Sequence, residues 1–375
     1  MENKTNEVQQ INATPNRKLS LWRVVLATVV LVVVVYTAMN AVRGWETTLA
    51  SEDIEPWFAP YVDVTATPRY AFEQVVNENI KNVMLAFIVA DPDDACTPSW
   101  GGYYTLEEAS GALDLDRRIA RFRQQDGNIG VSFGGLLNNE LAVTCNDDES
   151  LAAAYVAVID RYAVDTIDFD IEGDALNDLE SLKRRSKVVA EIQKNYRTEN
   201  KSLAIWLTLP VTPQGLTPAG TNAVEIMLTQ GVDLAGINIM TMDYGESKDK
   251  YLSMQDASEM ALIETHRQLG VMYARNGVTL SDATLWKKLG STPMIGQNDI
   301  LNEIFTLDNA KGFNQFTVNK GLARMSMWSL NRDIQCGGNY VNVTIVSDAC
   351  SGIRQDEFAF TNILAMGFYA QMKDN

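Results

Sequence analysis

From about residue 57 onward, short apolar runs alternate with longer stretches of mixed apolar and charged residues. The runs are YVDVT (61–65), NVMLAFIVA (82–90), NIGVSFGG (128–135), TIDFDIE (166–172), SLAIWLTLPV (202–211), LAGINIMTMDYG (234–245), STPMIGQND (291–299) and LARMSMWSLNRD (322–333). Each has the length of a β-strand. Several are almost continuously apolar, as parallel strands covered by helices should be. Between them, residues 113–125, 147–163, 181–196, 257–277 and 356–372 place apolar residues at helical spacing, and 147–163 begins with acidic caps. Eight strands alternating with helices predict an α/β fold of the (β/α)8 barrel type. A doubly wound sheet is the competitor. Polar residues near strand ends all along the chain (Asp63, Asp91, Ser132, Glu172, Asp243, Asp299, Asp333) favour the barrel, where such ends converge on one mouth. No internal repeat or second domain is evident. The stretch between the last two strands suffices for one helix and a short loop.

The N-terminal segment follows a different pattern. Residues 24–38, VVLATVVLVVVVYTA, are an apolar run preceded by Arg17, Lys18 and Arg23. The expected layout is a polar cytoplasmic tail (1–20), a transmembrane anchor (21–43), a linker (44–56) and the barrel domain (57–375), with the basic flank inside and the barrel exported. Secretion after signal cleavage is the alternative. Export permits two disulfides, with Cys336 and Cys350 closing one loop and Cys96 and Cys145 paired near strand ends.

The formal net charge is −17, which argues against a nucleic-acid partner. The chain has one histidine, His266, which excludes a multi-histidine metal site. It sits in a helical pattern and reads as an ordinary helix residue.

The most informative stretch is DTIDFDIEG, 165–173. On a strand, Asp168, Asp170 and Glu172 share one face, each roughly 7 Å from the next. Inside a barrel three ionised carboxylates would repel and be poorly solvated, so at least one should hold a proton. That keeps an acid available near neutral pH.

DTIDFDIE resembles the DGxDxDxE signature of glycoside hydrolase family 18, the chitinases and endo-β-N-acetylglucosaminidases. SFGG (132–135) resembles the family's SxGG, INIMTMDYG (237–245) its sixth-strand motif, and MSMWSLNRD (325–333) its last strand. The likeness spans about residues 57–372 and points to the bacterial chitinase D-like group. The resemblance implies hydrolysis of β-1,4-linked N-acetylglucosamine without metal or cofactor. Glu172 matches the general acid/base, Asp170 the residue that orients the substrate's 2-acetamido group, and Asp168 its buried partner, sharing a proton with it. The acetamide oxygen is then the nucleophile. Trp328 is expected under a sugar ring, and Tyr61, Ser132, Met240, Met242 and Asp243 along the substrate path; Trp100 and Trp206 are weaker candidates. The family's M-x-Y-D is here Met240-x-Met242-Asp243, and Tyr244 comes one place late. Either Tyr244 supplies the tyrosine contact through a local bulge or the contact is lost. An endo-β-N-acetylglucosaminidase or peptidoglycan-acting relative, a weakly catalytic sugar-binding pseudo-enzyme, and a cation-binding protein are the alternatives. The expected partners are chitin or a related polysaccharide and, through the anchor, a membrane; the expected state is a monomer.

Overall fold

The eight apolar runs close into an all-parallel barrel. The computed structural model describes residues 21–52, 55–74, 77–338, 340 and 345–372. The barrel strands are β1 (Trp57–Phe58 and Tyr61–Asp63), β2 (Asn82–Ala90), β3 (Asn128–Gly134), β4 (Thr166–Asp170), β5 (Ala204–Thr212), β6 (Leu234–Met240), β7 (Leu289–Thr292) and β8 (Arg324–Met325). Successive strands pair in parallel. Trp57 and Phe58 pair with Arg324 and Met325, so β1 joins β8 and the barrel closes. β1 is written in two pieces because Pro60 has no N–H to give. The ladder resumes at once, with the Tyr61 N–H on the Met327 carbonyl (3.1 Å) and the Pro60 carbonyl accepting from Met84 (2.9 Å).

Outward side chains such as Phe133 and Phe169 pack against Tyr155 of the helix Asp148–Tyr162 (centroids 5.2 and 5.3 Å). Inward, Trp57, Tyr61, Met84 and Trp206 form a separate apolar cluster inside the barrel. The outer helices begin where capping chemistry allows. Asp147, Asp178 and Ser253 cap the helices Asp148–Tyr162, Leu179–Thr198 and Met254–Arg275 through their side chains. Beside β3, the Arg185 guanidinium reaches Glu140 at 2.6 Å, both side chains are sealed from solvent, and the Tyr155 hydroxyl donates to the same carboxylate at 2.5 Å. His266 lies on Met254–Arg275, stacked on Trp286 (4.4 Å).

Several boundaries differ from the sequence reading. β6 ends at Met240 and β7 at Thr292. Residues 296–297 instead pair antiparallel with 304–305, after a turn at Gly296 whose φ is +70°. A Cβ at Gly296 would collide with the Ser351 carbonyl, so only glycine lets the chain turn there. The helix Pro218–Thr229 was not foreseen, although Thr217 caps it and proline sits in its first turn. The β1–β2 connection has no helix among the described residues, and the last helix is only Ala359–Leu364. Between β7 and β8 lie the short hairpin and one helix, Leu307–Lys320.

Both expected disulfides are present, Cys96–Cys145 and Cys336–Cys350. The first ties the loop after β2 to the loop after β3.

The chain divides between Glu46 and Thr47 into two compact units. The first contains most of the helix Leu21–Glu52, which runs through most of the stretch predicted as linker. Its window Trp22–Met39 has mean hydropathy 2.1, long and apolar enough to cross a membrane; a signal sequence would meet the same measure. The predicted tail, 1–20, lies outside the described residues.

Candidate active site

Asp168 is the centre of a sealed polar layer. Its side chain has no solvent exposure. Oδ2 accepts from the hydroxyls of Tyr61 (2.7 Å) and Ser132 (2.8 Å), and Oδ1 from the Thr208 hydroxyl (2.6 Å) and Arg324 Nη1 (3.0 Å). Strand register explains the convergence. Ser132 on β3 lies directly beside Asp168 on β4, and Thr208 on β5 beside Asp170. Asn238 on β6 extends the layer, donating to the hydroxyls of Thr208 (3.0 Å) and Thr292 (2.8 Å). A buried carboxylate is tolerable when a cation and several donors meet it.

This layer corrects two expectations. Tyr61 and Ser132 are not on the substrate path; both are buried and hold Asp168. Three hydroxyls and a guanidinium meet the two carboxyl oxygens of Asp168. Arg324, Thr208 and Asn238 thus belong to the site. The sequence reading passed over Arg324 and Thr208.

Asp170 and Glu172 lie further toward the C-terminal mouth. Asp170 is 5% exposed. Burial raises its proton affinity well above the ordinary carboxylate range, and the neighbouring charges of Glu172 and Asp168 add to this while Arg324 opposes it. Glu172, just past the end of β4, is partly exposed. Burial, with the charges of Asp243 and Asp299, brings its pKa up to about 7. A carboxyl that titrates near neutral pH and is open to the mouth can donate a proton and take it back. The backbone beneath is fixed, with Gly135 N–H on the Asp170 carbonyl (2.9 Å) and Ile171 N–H on that of Thr208 (3.1 Å).

Around the mouth, Trp328 is partly exposed. It stacks on Phe87 (5.5 Å, 19° between planes) and leans on the Tyr61 ring (6.0 Å). The sequence reading did not single out Phe87, whose ring stacks on Trp328. Met240 is buried and Met242 partly exposed. Asp243, at φ +49°, accepts from the Ile300 N–H (2.9 Å), and burial raises its pKa to about 6 against that hydrogen bond. Tyr244 is a correction. Its backbone N–H and that of Gly245 donate to Glu303 (2.9 and 3.0 Å), and its ring is in the outer core with its hydroxyl on Ser258 (3.2 Å). It cannot stand in for the family tyrosine. The weaker candidates also lie elsewhere. Trp100 is buried with its indole N–H on Tyr162 (2.8 Å), and Trp206 packs edge-on to Trp57 inside the barrel.

No protein-family model matches the chain. It is 32% identical over 318 residues to the probable bifunctional chitinase/lysozyme of Escherichia coli (strain K12), covering 82% of this chain and 34% of that protein. It is 32% identical over 285 residues to endochitinase 11 of Metarhizium anisopliae, covering 74% and 52%. The chain thus spans about half or less of the length of these curated relatives. Among solved structures, active domain 2 of the Pyrococcus furiosus chitinase, in catalytic-site mutants, superposes with a TM-score of 0.72 at 26% identity, covering 85% of this chain and 97% of that domain. The same domain has been solved complexed with chito-oligosaccharides. Together with the barrel and its acidic strand, these likenesses make the chain a chitinase-like member of glycoside hydrolase family 18.

Proposed function

We propose that the barrel hydrolyses β-1,4-linked N-acetylglucosamine, most simply chitin or its oligomers, with the substrate's own acetamide as nucleophile. Glu172 gives its proton to the glycosidic oxygen as the bond to C1 breaks. The acetamide oxygen closes on C1 from the opposite face, forming an oxazolinium ion, and Asp170 holds the acetamide N–H. Glu172, now a carboxylate, takes a proton from the water that opens the ring, so configuration at C1 is retained. The observation that carries this reading is Glu172. It is a mouth carboxyl with pKa about 7, one alternate position from a buried acid. Both curated relatives are chitinases by name, and the Pyrococcus domain was seen complexed with chito-oligosaccharides, which favours the same substrate class.

Trp328 on Phe87 supplies a flat apolar face for a sugar ring. No tyrosine hydroxyl meets the acetamide carbonyl in this proposal; Met242 occupies that frame. With only a hairpin and one helix between β7 and β8, the groove is shallow and open, which favours soluble oligomers over crystalline polymer. The layout proposed with this function is a cytoplasmic tail (1–20), an anchor (21–43) and an exported barrel (57–375) acting as a monomer. The apolar helix and the two disulfides support export. The test is turnover of a fluorogenic chitobioside against the cellobioside, which has hydroxyls in place of acetamides. Chitobioside cleavage with an inert cellobioside supports the reading, and equal cleavage of both removes the acetamide from the mechanism.

A further inference from the structure

After β2 the chain folds back on itself before the first outer helix. Pro98–Trp100 pairs antiparallel with the end of β2, and Tyr104–Thr105 pairs with it in turn. The tip, Gly101–Tyr103, stands beside Phe87, whose ring is stacked on Trp328; the Gly101 N–H donates to the Phe87 carbonyl at 2.9 Å. Two glycines at φ +60° and +73° make the turn. The tip is held from several sides. The Asn138 side chain donates to the Gly101 carbonyl (2.9 Å), and the Tyr103 N–H donates to the Trp100 carbonyl (3.0 Å). Trp100 is buried with its indole N–H on Tyr162, and Cys96–Cys145 ties the segment just before the hairpin to the loop after β3. A Cβ on Gly101 would stand 3.2 Å from both Thr65 Cγ2 and the Tyr103 ring, so that ring and the loop after β1 meet over one glycine. On this fixed tip the Tyr103 side chain is left 74% exposed. It is not a scattered residue. Leu136 and Leu137, next to Asn138, are also exposed, and Leu136 Cδ1 lies 3.8 Å from where a Cβ on Gly173 would be, one residue past Glu172. An apolar rim therefore runs from the acid to the hairpin.

We propose that Tyr103 determines the preferred length of the substrate: its ring on the hairpin tip is the platform for a sugar unit that a chitobioside is too short to reach. This rests on the reading of the barrel as a hydrolase of N-acetylglucosamine chains. A pyranose ring has an apolar C–H face and a rim of hydroxyls. It is met best by a flat side chain that leaves the rim in water. Tyrosine offers that face with few rotatable bonds, and a tip already fixed by hydrogen bonds loses little further freedom on binding. The placement favours a sugar over a protein partner. A stable protein interface needs roughly 800 Å² on each side, more than a few side chains along a groove edge provide. The rim is also continuous with the mouth, through Leu136 at Gly173 and through Gly101 at Phe87.

The test compares chitohexaose with a fluorogenic chitobioside, using full-length protein in detergent micelles. The quantity read is the ratio of kcat/KM on the hexamer to kcat/KM on the chitobioside. Tyr103→Ala should lower that ratio roughly three- to tenfold, through a higher KM for the hexamer with kcat retained. Tyr103→Phe keeps the ring and should keep the ratio. Thermal midpoints matching the wild type show that both variants fold. An unchanged ratio in Tyr103→Ala, a loss shared equally by both substrates, or a Tyr103→Phe protein that behaves like Tyr103→Ala overturns the proposal. The two claims fail separately. If the wild type cleaves both substrates and the ratio does not move in Tyr103→Ala, the Tyr103 proposal alone fails. If the wild type cleaves neither, the reading of the barrel as a hydrolase of these chains fails and the proposal falls with it.

Discussion

Replacing Gly134 by alanine should damage both stability and turnover, through a single carbonyl. Gly134 closes β3 with φ +103°, and a Cβ there would lie far inside 3.0 Å of the Asp170 carbonyl oxygen. That oxygen already accepts from Gly135 N–H at 2.9 Å. Two costs combine. Holding an L-residue at such a φ costs about 1–3 kcal/mol. Overlap with backbone, which cannot rotate aside like a side chain, adds about 1–3 kcal/mol. The sum, roughly 2–6 kcal/mol, is a large part of a typical domain's stability of about 5–15 kcal/mol. The protein can relieve it only by moving β3 away from β4 at Asp170, and a displacement of about 1 Å there should cost about 100-fold in rate. Urea denaturation followed by tryptophan fluorescence, with kcat on a chitobioside, measures both. Gly111 is the control. It lies in the helix Leu106–Ala112 with nothing within 4 Å of its Cβ position. Alanine there should lose nothing and gain up to about 1 kcal/mol. A Gly134→Ala protein with wild-type midpoint and turnover would refute the reasoning and with it the explanation of the SFGG motif.

Asp243→Asn removes a negative charge that helps Glu172 hold its proton. Glu172 should then ionise at lower pH and the basic limb of the kcat/KM profile should move down, not up; a pH-rate series decides. Tyr244→Phe should change kcat and KM less than twofold, because the hydroxyl bonds Ser258 in the outer core; a loss of about 100-fold would return Tyr244 to the substrate path. Arg185→Met should destabilise by about 3–5 kcal/mol by stranding the buried Glu140 carboxylate, and adding Glu140→Gln should recover part of it, as equilibrium denaturation can show.

Much of the architecture could be read from the pattern because burial on both faces leaves a strong mark. The run 82–90 is apolar almost throughout, and it became β2 with both faces covered. The acidic alternation of 166–172 survived as an inward row because period two is rigid along a strand. Ends of elements were harder. The run 291–299 stays apolar past the real end of β7, since the hairpin after it is also buried, and only Gly296 hinted at the turn. Tyr244 was misplaced because a left-handed residue, Asp243, redirects the chain just before it, and pattern reading assumes continued alternation. Arg324 was passed over because a single arginine in LARMSM reads as an exposed residue on a strand end. Its available signal was the reverse, a cation inside an otherwise apolar run that has no wet face to occupy. The role of Tyr61 depended on a partner 107 positions away, a distance over which spacing says nothing.

The most direct test of the central claim is the turnover of Glu172→Gln on a chitobioside near pH 7, with the folded state checked by circular dichroism. The amide keeps the shape of the side chain but has no proton to donate, so the account predicts an intact fold and loss of hydrolysis by at least about 100-fold. Wild-type turnover by a correctly folded Glu172→Gln protein would contradict it.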